Sequence, residues 1–202
     1  MPTKTSACLS TLIQEGEAYL RSNGVETPRQ ESQAILQNLL SINKIDFYIQ
    51  PARPVSVEDQ TAFFQQIKRR GQREPLQYIL GEVDFYGLPF FVAPGVFIPR
   101  PETELIVEIA RSLPTSPQSV LDLCTGSGAL AIVLAREFPL ARITAIDCSE
   151  TALAVAKKNQ ERHQTPSIHF LMGDLFDPLN TDNRFDLIVC NPPYIAENEW
   201  QK

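Results

Sequence analysis

The sequence predicts an α/β fold in which a parallel sheet with interleaved helices follows a small helical domain and a β-hairpin linker. Two observations support this prediction. From residue 118 onward, short apolar runs alternate with helical stretches, a spacing typical of a parallel sheet with right-handed crossovers. Before residue 74, apolar residues recur at helical spacing instead. The 202 residues suffice for one full and one smaller domain, and we place the divisions at 1–73, 74–101 and 102–202.

Three helices are predicted in the N-terminal domain. The first follows Ser6 as its cap and ends at Asn23-Gly24, because glycine tolerates the left-handed conformation that closes a helix. The second begins at Thr27-Pro28, where a capping residue precedes a proline at the first helical position. The third runs from Ser56 to Gly71. These helices carry apolar stripes but no cluster of catalytic residues.

The linker is predicted to contain a hairpin. Two β-like runs at 83–86 and 88–92 are separated by one glycine, which favours a tight antiparallel pair. Pro94-Gly95 is a turn signal. Two prolines then stiffen the segment 97–104, which leads into a helix predicted from about Glu102 to Arg111.

Four strands and two helices are predicted in the C-terminal domain. The strands cover 119–123, 141–146, 168–172 and 185–190. The helices between them cover 129–137 and, after the capping residue Ser149, 151–164. In open α/β sheets the ligand lies at the carboxyl ends of the strands, so the residues that follow each strand are the candidate site.

Three of these strand ends carry aspartates. Asp122 ends the first and opens the loop 122–128, whose two glycines allow a tight turn and close approach of the backbone to a ligand. The next helix adds free N–H groups and the positive end of its dipole. Asp147 ends the second strand, where a carboxylate can accept both hydroxyls of a ribose. Asp174 ends the third and can meet the amino group of an adenine.

Two cofactors compete for this glycine loop. The pattern Gly126-x-Gly128-x-x-Ala131 fits the fingerprint of a nicotinamide dinucleotide. However, Asp122 precedes the glycines, and a carboxylate there suits an ammonium group and repels a pyrophosphate. The fourth strand ends in Asn-Pro-Pro-Tyr, and no obvious proton-transfer residue accompanies it. S-adenosyl-L-methionine is the better match, because its adenine, ribose and cationic amino acid correspond to the three strand-end aspartates.

The fourth strand ends at Asn191-Pro192-Pro193-Tyr194. The prolines lack a backbone N–H and fix their own φ, so this corner rigidly displays acceptor oxygens beside the flat ring of Tyr194. Such a surface suits a planar group that carries an NH2, either an amide or a nucleobase amine. A strand-ending turn that binds no ligand is the alternative.

Composition restricts the partners. The formal net charge of −6 argues against a large nucleic-acid surface, although 68–70 and Arg73 form a local basic cluster. Four cysteines without CxxC spacing and only two histidines argue against a metal site. Cys148 and Cys190 are expected to act as small apolar residues in a reducing compartment. No apolar window is long enough to span a membrane, and we expect a cytoplasmic protein.

Together these motifs resemble the HemK-type family of peptide chain release factor glutamine methyltransferases. The glycine loop is shared by all class I methyltransferases, and Asn-Pro-Pro-Tyr is shared with amino-methylating nucleic-acid enzymes. Pro-Arg-Pro-Glu-Thr-Glu, ahead of the C-terminal domain, is the specific signal. The matching segments, which span nearly the whole chain, are 74–81, 98–104, 122–128, Asp147 and 191–194.

The resemblance implies a Rossmann-like class I methyltransferase domain and methyl transfer from S-adenosyl-L-methionine to the side-chain amide nitrogen of a glutamine in a release factor. It also implies that the helical domain helps to dock the release factor. The residues expected around the cofactor are Asp122, Cys124, Thr125, Gly126, Ser127, Gly128, Asp147, Asp174, Leu175 and Asn191. The residues expected around the substrate glutamine are Phe97, Asn191, Pro192, Pro193 and Tyr194, of which Asn191, Pro192 and Tyr194 are the expected catalytic residues.

Two features depart from the family pattern. Cys124 stands where the family often has glycine, and we expect either that its small side chain fits there or that the cofactor loop is tighter. The chain ends at Lys202, eight residues after Tyr194, whereas the family's domain continues, so we expect a truncated chain with an exposed fourth strand. Two alternatives stay open: a nucleic-acid adenine-N6 methyltransferase that uses the same corner, and a non-catalytic cofactor-binding fragment.

Overall fold

The computed structural model describes residues 7–165 and 168–192. Contacts within the chain divide it into two compact units between Leu80 and Gly81. The divisions predicted at 73 and 101 stay predictions. Pro193 and Tyr194, the second half of the predicted substrate corner, lie outside the described residues.

The first unit is helical, as predicted. Its helices are α1 (Leu9–Ser22), α2 (Pro28–Leu40), α3 (Asp46–Ile49), α4 (Val57–Gly71) and α5 (Leu76–Leu80). The predicted helices correspond to α1, α2 and α4, whereas the short α3 and α5 were not predicted. Cys8 is the N-cap of α1, and Ser6, the predicted cap, lies outside the described residues. Ser56 caps α4 as predicted, by accepting a hydrogen bond from the Asp59 N–H at 3.0 Å.

The apolar stripes of these helices meet in one core around the fully buried Phe63. Part of the basic cluster at the end of α4 is paired with carboxylates. The Arg69 Nε donates to Glu74 at 2.8 Å, and the Arg70 guanidinium is paired with Glu31. These ion pairs explain part of the cluster without a nucleic-acid ligand.

The second unit is α/β. Its elements are β1 (Glu82–Phe85), β2 (Leu88–Phe91), a 3-10 turn (Pro101–Thr103), α6 (Glu104–Arg111), β3 (Ser119–Leu123), α7 (Ala129–Glu137), β4 (Arg142–Asp147), α8 (Glu150–His163), β5 (Ile168–Met172) and β6 (Leu187–Cys190). Strands β1 and β2 form the predicted antiparallel hairpin. The helix predicted from Glu102 begins at Glu104, because the proline-containing segment before it forms the 3-10 turn.

The other four strands form a parallel sheet in the order β5-β4-β3-β6. The main core of the unit joins one face of this sheet to α7, whose residues are almost all buried. A smaller cluster around Leu121, Leu123 and Ile146 lies on the other face. Among the described residues β6 is an edge strand, and Ile188 on it is 50% exposed.

The register of the sheet determines where the strand ends lie. Leu123 pairs with Ile146 on one side and with Cys190 on the other, and Asp147 pairs with Met172. The residues that follow all four strands therefore emerge at one edge of the sheet. No helix within residues 7–165 and 168–192 is long and apolar enough to cross a membrane.

Candidate functional site

A cavity opens at the carboxyl edge of the parallel sheet. The predicted site residues that line it are Phe97, Asp122, Cys124, Thr125, Gly126, Ser127, Asp147, Asp174, Leu175 and Asn191. Residues that the sequence reasoning did not place at the site also line it, among them Phe85, Val96, Pro99, Thr103, Cys148 and Ser149. The cavity thus brings together all three strand-end aspartates and the first residue of the proline corner.

Asp122 is the most buried carboxyl group of this cavity. Its residue is only 1% exposed, and the Thr125 hydroxyl donates a hydrogen bond to its Oδ2 at 2.6 Å. Burial raises the pKa of Asp122 to about 7, although the bonds with Thr125 and the Ala131 backbone oppose this rise. A cation in the cavity would favour the carboxylate form, so this group suits an ammonium ligand.

Asp147 organises the backbone around the cavity. Its Oδ2 accepts the Gly126 N–H at 2.8 Å, and its Oδ1 accepts the Ser149 N–H at 2.9 Å. The Ser149 hydroxyl in turn accepts the Ala152 N–H and caps α8. Because a carboxylate has about four lone-pair sites, Asp147 retains capacity to accept hydroxyl groups of a ligand.

The two loop glycines serve different purposes. Gly126 has a φ of +56°, and a Cβ there would meet no atom within 4 Å, so its backbone faces open space in the cavity wall. Gly128 does not line the cavity. It has a φ of +77°, and a Cβ there would lie 2.8 Å from the Ala156 Cβ on α8. The structure therefore ties Gly128 to helix packing, and its role in cofactor binding stays a prediction.

Cys124 also has a left-handed backbone, with a φ of +58°. A non-glycine side chain costs roughly 1–2 kcal/mol in this conformation. The Cys124 thiol forms a side-chain hydrogen bond with Cys190, and burial raises the pKa of Cys124 to about 12. The thiol is therefore neutral at physiological pH and contributes no charge to the cavity.

Asn191 reaches the cavity from the end of β6. Its Nδ2 donates a hydrogen bond to the Thr103 Oγ1 at 3.0 Å. Pro192, its neighbour, is exposed and is not among the residues that line the cavity. Sequence reasoning missed Thr103 as a site residue, although it lies inside the Pro-Arg-Pro-Glu-Thr-Glu segment. The neighbouring Glu104 has a separate role, since its Oε1 accepts the Tyr86 N–H of the hairpin turn at 2.8 Å.

Asn159 on α8 supports the site from behind and was also missed. It is fully buried. Its Oδ1 accepts the Phe91 N–H at 2.7 Å, and its Nδ2 donates to the Phe91 carbonyl at 3.0 Å and the Ser127 carbonyl at 2.9 Å. One side chain therefore joins the hairpin, the glycine loop and α8. A polar residue on the inward face of a predicted helix was the available signal.

No metal centre is evident in the described ranges. Within residues 7–165 and 168–192, no group of three or more histidine, cysteine, aspartate or glutamate side chains is placed to hold a metal ion.

Comparisons with known proteins match both units. The sequence profile of the PrmC N-terminal domain matches residues 11–81, and that of the methyltransferase small domain matches residues 89–202. A release factor glutamine methyltransferase of Chlorobaculum tepidum is 37% identical over 211 aligned positions, which cover 99% of this chain and 72% of that protein.

Two further relatives carry the same name. The protein of Geobacter sulfurreducens is 43% identical over 177 residues, covering 88% of this chain and 62% of the relative. The protein of Fusobacterium nucleatum subsp. nucleatum is 38% identical over 186 residues, covering 91% of this chain and 52% of the relative. The chain thus spans between about half and two thirds of the length of these two relatives.

Proposed function

This chain belongs to the family of release factor glutamine methyltransferases, and we propose that it methylates the side-chain amide nitrogen of a glutamine in a peptide chain release factor. S-adenosyl-L-methionine would be the methyl donor. The observation that carries the proposal is the cavity in which Asn191 lies together with the glycine loop and the strand-end aspartates. Family membership favours an amide as the planar group that this cavity would accept.

The residues present fit the donor. Gly126 leaves open space at the cavity wall, and the buried Asp122 suits a cationic amino-acid group. Asp147 would accept the ribose hydroxyls, and Asp174 and Leu175, both exposed at the end of β5, would contact the adenine. When bound, the donor supplies a methyl group on a positively charged sulfur.

The corner after β6 would position the substrate. An amide nitrogen is a poor nucleophile because its lone pair is delocalised into the carbonyl. The Asn191 Oδ1 and the Pro192 carbonyl would accept its two hydrogens and hold the nitrogen in line for attack. This contribution is orientation and electrostatics, and no general base is needed before attack. Pro193 and Tyr194 lie outside the described residues, and we retain their predicted contacts with the substrate amide.

Phe97 would add an apolar wall to the substrate side of the cavity. Its side chain is 38% exposed, and the Arg100 guanidinium lies 5.9 Å from the centre of its ring. A partly exposed aromatic ring at the cavity supports this role.

We also propose that the helical unit helps to dock the release factor. We further propose that the reaction takes place in the cytoplasm, in keeping with four free cysteines.

A methylation assay tests this function. The chain is incubated with S-adenosyl-L-methionine labelled in its methyl group and, in parallel, with release factor, a release factor whose substrate glutamine is replaced by alanine, DNA and RNA. We expect label only in the unmodified release factor. Label in a nucleic acid would support the adenine-methyltransferase alternative. Donor binding by calorimetry without transfer to any substrate would support the non-catalytic alternative.

Asn191→Ala tests the role of the corner. We expect kcat/KM to fall by roughly 10²- to 10³-fold, since one preorganised polar contact contributes roughly 2–4 kcal/mol to transition-state stabilisation. Asn183→Ala, in an exposed loop where the side-chain oxygen accepts the Asn180 N–H, is the matched control and should leave turnover unchanged. Equal turnover in both variants and the parent chain would refute the role of Asn191.

A further inference from the structure

The hydrogen bond between Thr103 and Asn191 joins two motifs that lie 88 residues apart in the sequence. Thr103 ends the 3-10 turn Pro101–Thr103 and is 9% exposed. Its N–H donates to the Arg100 carbonyl at 3.0 Å, and a proline fixes the backbone on either side of Arg100. The Thr103 hydroxyl is therefore presented to the cavity from a stiff backbone.

The direction of this bond decides what Asn191 offers to a ligand. A carboxamide has a donor end and an acceptor end, and a threonine hydroxyl can bond to either one. Here the Nδ2 donates to the Thr103 Oγ1, so the nitrogen end is engaged and the acceptor Oδ1 is left for the ligand. The opposite orientation would place an NH2 against the NH2 of a substrate amide, and two donors cannot bond to each other.

From this geometry we infer that Thr103 is a positioning residue that holds the Asn191 carboxamide with its Oδ1 towards the substrate amide. The catalytic consequence of this inference rests on the function proposed above. It gives Pro-Arg-Pro-Glu-Thr-Glu a direct task in the site: the prolines hold Thr103, and Thr103 orients Asn191. Misplacement of a substrate-positioning group by about 1 Å can cost as much as 10²-fold in rate.

Nuclear magnetic resonance of the asparagine-labelled chain tests the orientation without any turnover. The Asn191 side-chain NH2 signals are identified by their loss in Asn191→Asp. Thr103→Val keeps the shape of the side chain but removes the hydroxyl, so we expect these signals to shift and their hydrogens to exchange faster. Thr103→Ser should retain the signals, and Thr144→Val, the same change on β4 outside the cavity, should not alter them. Signals unchanged by Thr103→Val would overturn the inference.

Steady-state methylation then tests the consequence. We expect Thr103→Val to lower kcat by roughly 10- to 100-fold with the KM for the donor unchanged, and Thr103→Ser to restore it. In an Asn191→Ala background, Thr103→Val should cost nothing further, because it acts only through Asn191. The same loss in both backgrounds would overturn the inference. If the parent chain transfers no methyl group, the proposed function fails, while the resonance experiment still decides the orientation.

Discussion

Two aspartates at opposite ends of the parallel sheet have pKa values that are shifted in opposite directions. Asp186, at the amino end of β6, is exposed, and its Oδ2 accepts the Gln118 N–H, the Ser119 N–H and the Ser119 hydroxyl within 3.0 Å. These bonds lower its pKa. Asp122, at the carboxyl end of β3, is buried, and its pKa is raised to about 7.

The difference separates a structural carboxylate from one that suits a ligand. Donors at the start of the neighbouring strand β3 satisfy Asp186, so its charge helps to hold β3 and β6 together at the amino end of the sheet. Asp122 has been removed from water without enough donors to compensate, which destabilises its charged form. A cation bound in the cavity would supply the missing compensation. We therefore expect polar groups whose hydrogen bonds are all formed within the protein to determine its stability. Asp122, whose charge lacks enough such bonds, should determine ligand binding.

Substitution of Asn159 should have the largest effect among these tests. Asn159 lies beside the cavity, but its side chain is buried and both its oxygen and its nitrogen are hydrogen-bonded. Asn159→Leu would leave the Phe91 N–H, the Phe91 carbonyl and the Ser127 carbonyl without this partner. Since an unsatisfied buried group costs about 1–3 kcal/mol, we expect the free energy of unfolding to fall by at least about 3 kcal/mol. Denaturant titration followed by circular dichroism measures this loss.

The matched control for that experiment is Asn38→Leu on α2. Asn38 is exposed, and its Nδ2 makes one long contact of 3.5 Å with the Leu80 carbonyl. The same change of side chain there should alter stability by less than about 0.5 kcal/mol. Similar losses of stability in the two variants would show that the hydrogen bonds of a buried polar side chain do not determine its contribution to the free energy of unfolding.

Asp122→Asn provides the next largest effect, with opposite signs for binding and stability. We expect donor affinity to fall by roughly 10- to 100-fold at pH 8, since a hydrogen bond to a charged group contributes about 1.5–3 kcal/mol. At pH 6, where the parent Asp122 is itself mostly protonated, the two proteins should differ less. Calorimetric titrations at both pH values measure the difference, in which titration of the ligand itself cancels.

Relative to the parent, Asp122→Asn should be more stable at pH 8, the pH at which we expect it to bind the donor less tightly. The folded-state pKa of Asp122 lies above the ordinary value of 3.8, so between about pH 4 and 7 the folded protein binds more protons than the unfolded chain. Stability of the parent therefore falls as pH rises through this window. Without donor, Asp122→Asn should melt at a higher temperature than the parent at pH 8 and match it near pH 4. A variant less stable at pH 8 would contradict the assignment.

Much of this arrangement was predictable from the sequence, because the pattern of apolar residues shows where each strand and each helix lies along the chain. The apolar runs predicted all four parallel strands, and the parallel order places Asp122, Asp147, Asp174 and Asn191 at one edge. The individual partners of these groups were not predictable. Gly128 matched a cofactor fingerprint but packs against Ala156, a contact made by a helix 28 residues further along the sequence.

Thr103 and Asn159 show the same limit at the site. Each bonds to a residue more than 30 positions away, and the choice of partner depends on how the elements pack. Cys124 is a different case. The loop motif located it, and its departure from glycine signalled something unusual, but only the φ of +58° shows that the backbone there is left-handed.

Asp186→Ala provides the smallest effect and the control for the other end of the sheet. Its folded pKa is lowered, mainly by the Gln118 backbone and Ser119, so its contribution is present above the ordinary pKa and is lost as pH falls through the lower, folded value. Because the group is exposed, solvent screens the interaction and we expect only a small decrease in melting temperature at pH 7. That decrease should become smaller as pH falls below the ordinary pKa of 3.8, and donor affinity should be unchanged. Asp182→Ala, in the preceding exposed loop, controls for loss of a surface charge and should leave the melting temperature at pH 7 unchanged. A loss of stability larger than that of Asn159→Leu when both variants are measured by the same method, or a loss of donor affinity, would mean that the two ends of the sheet are not divided between structure and binding.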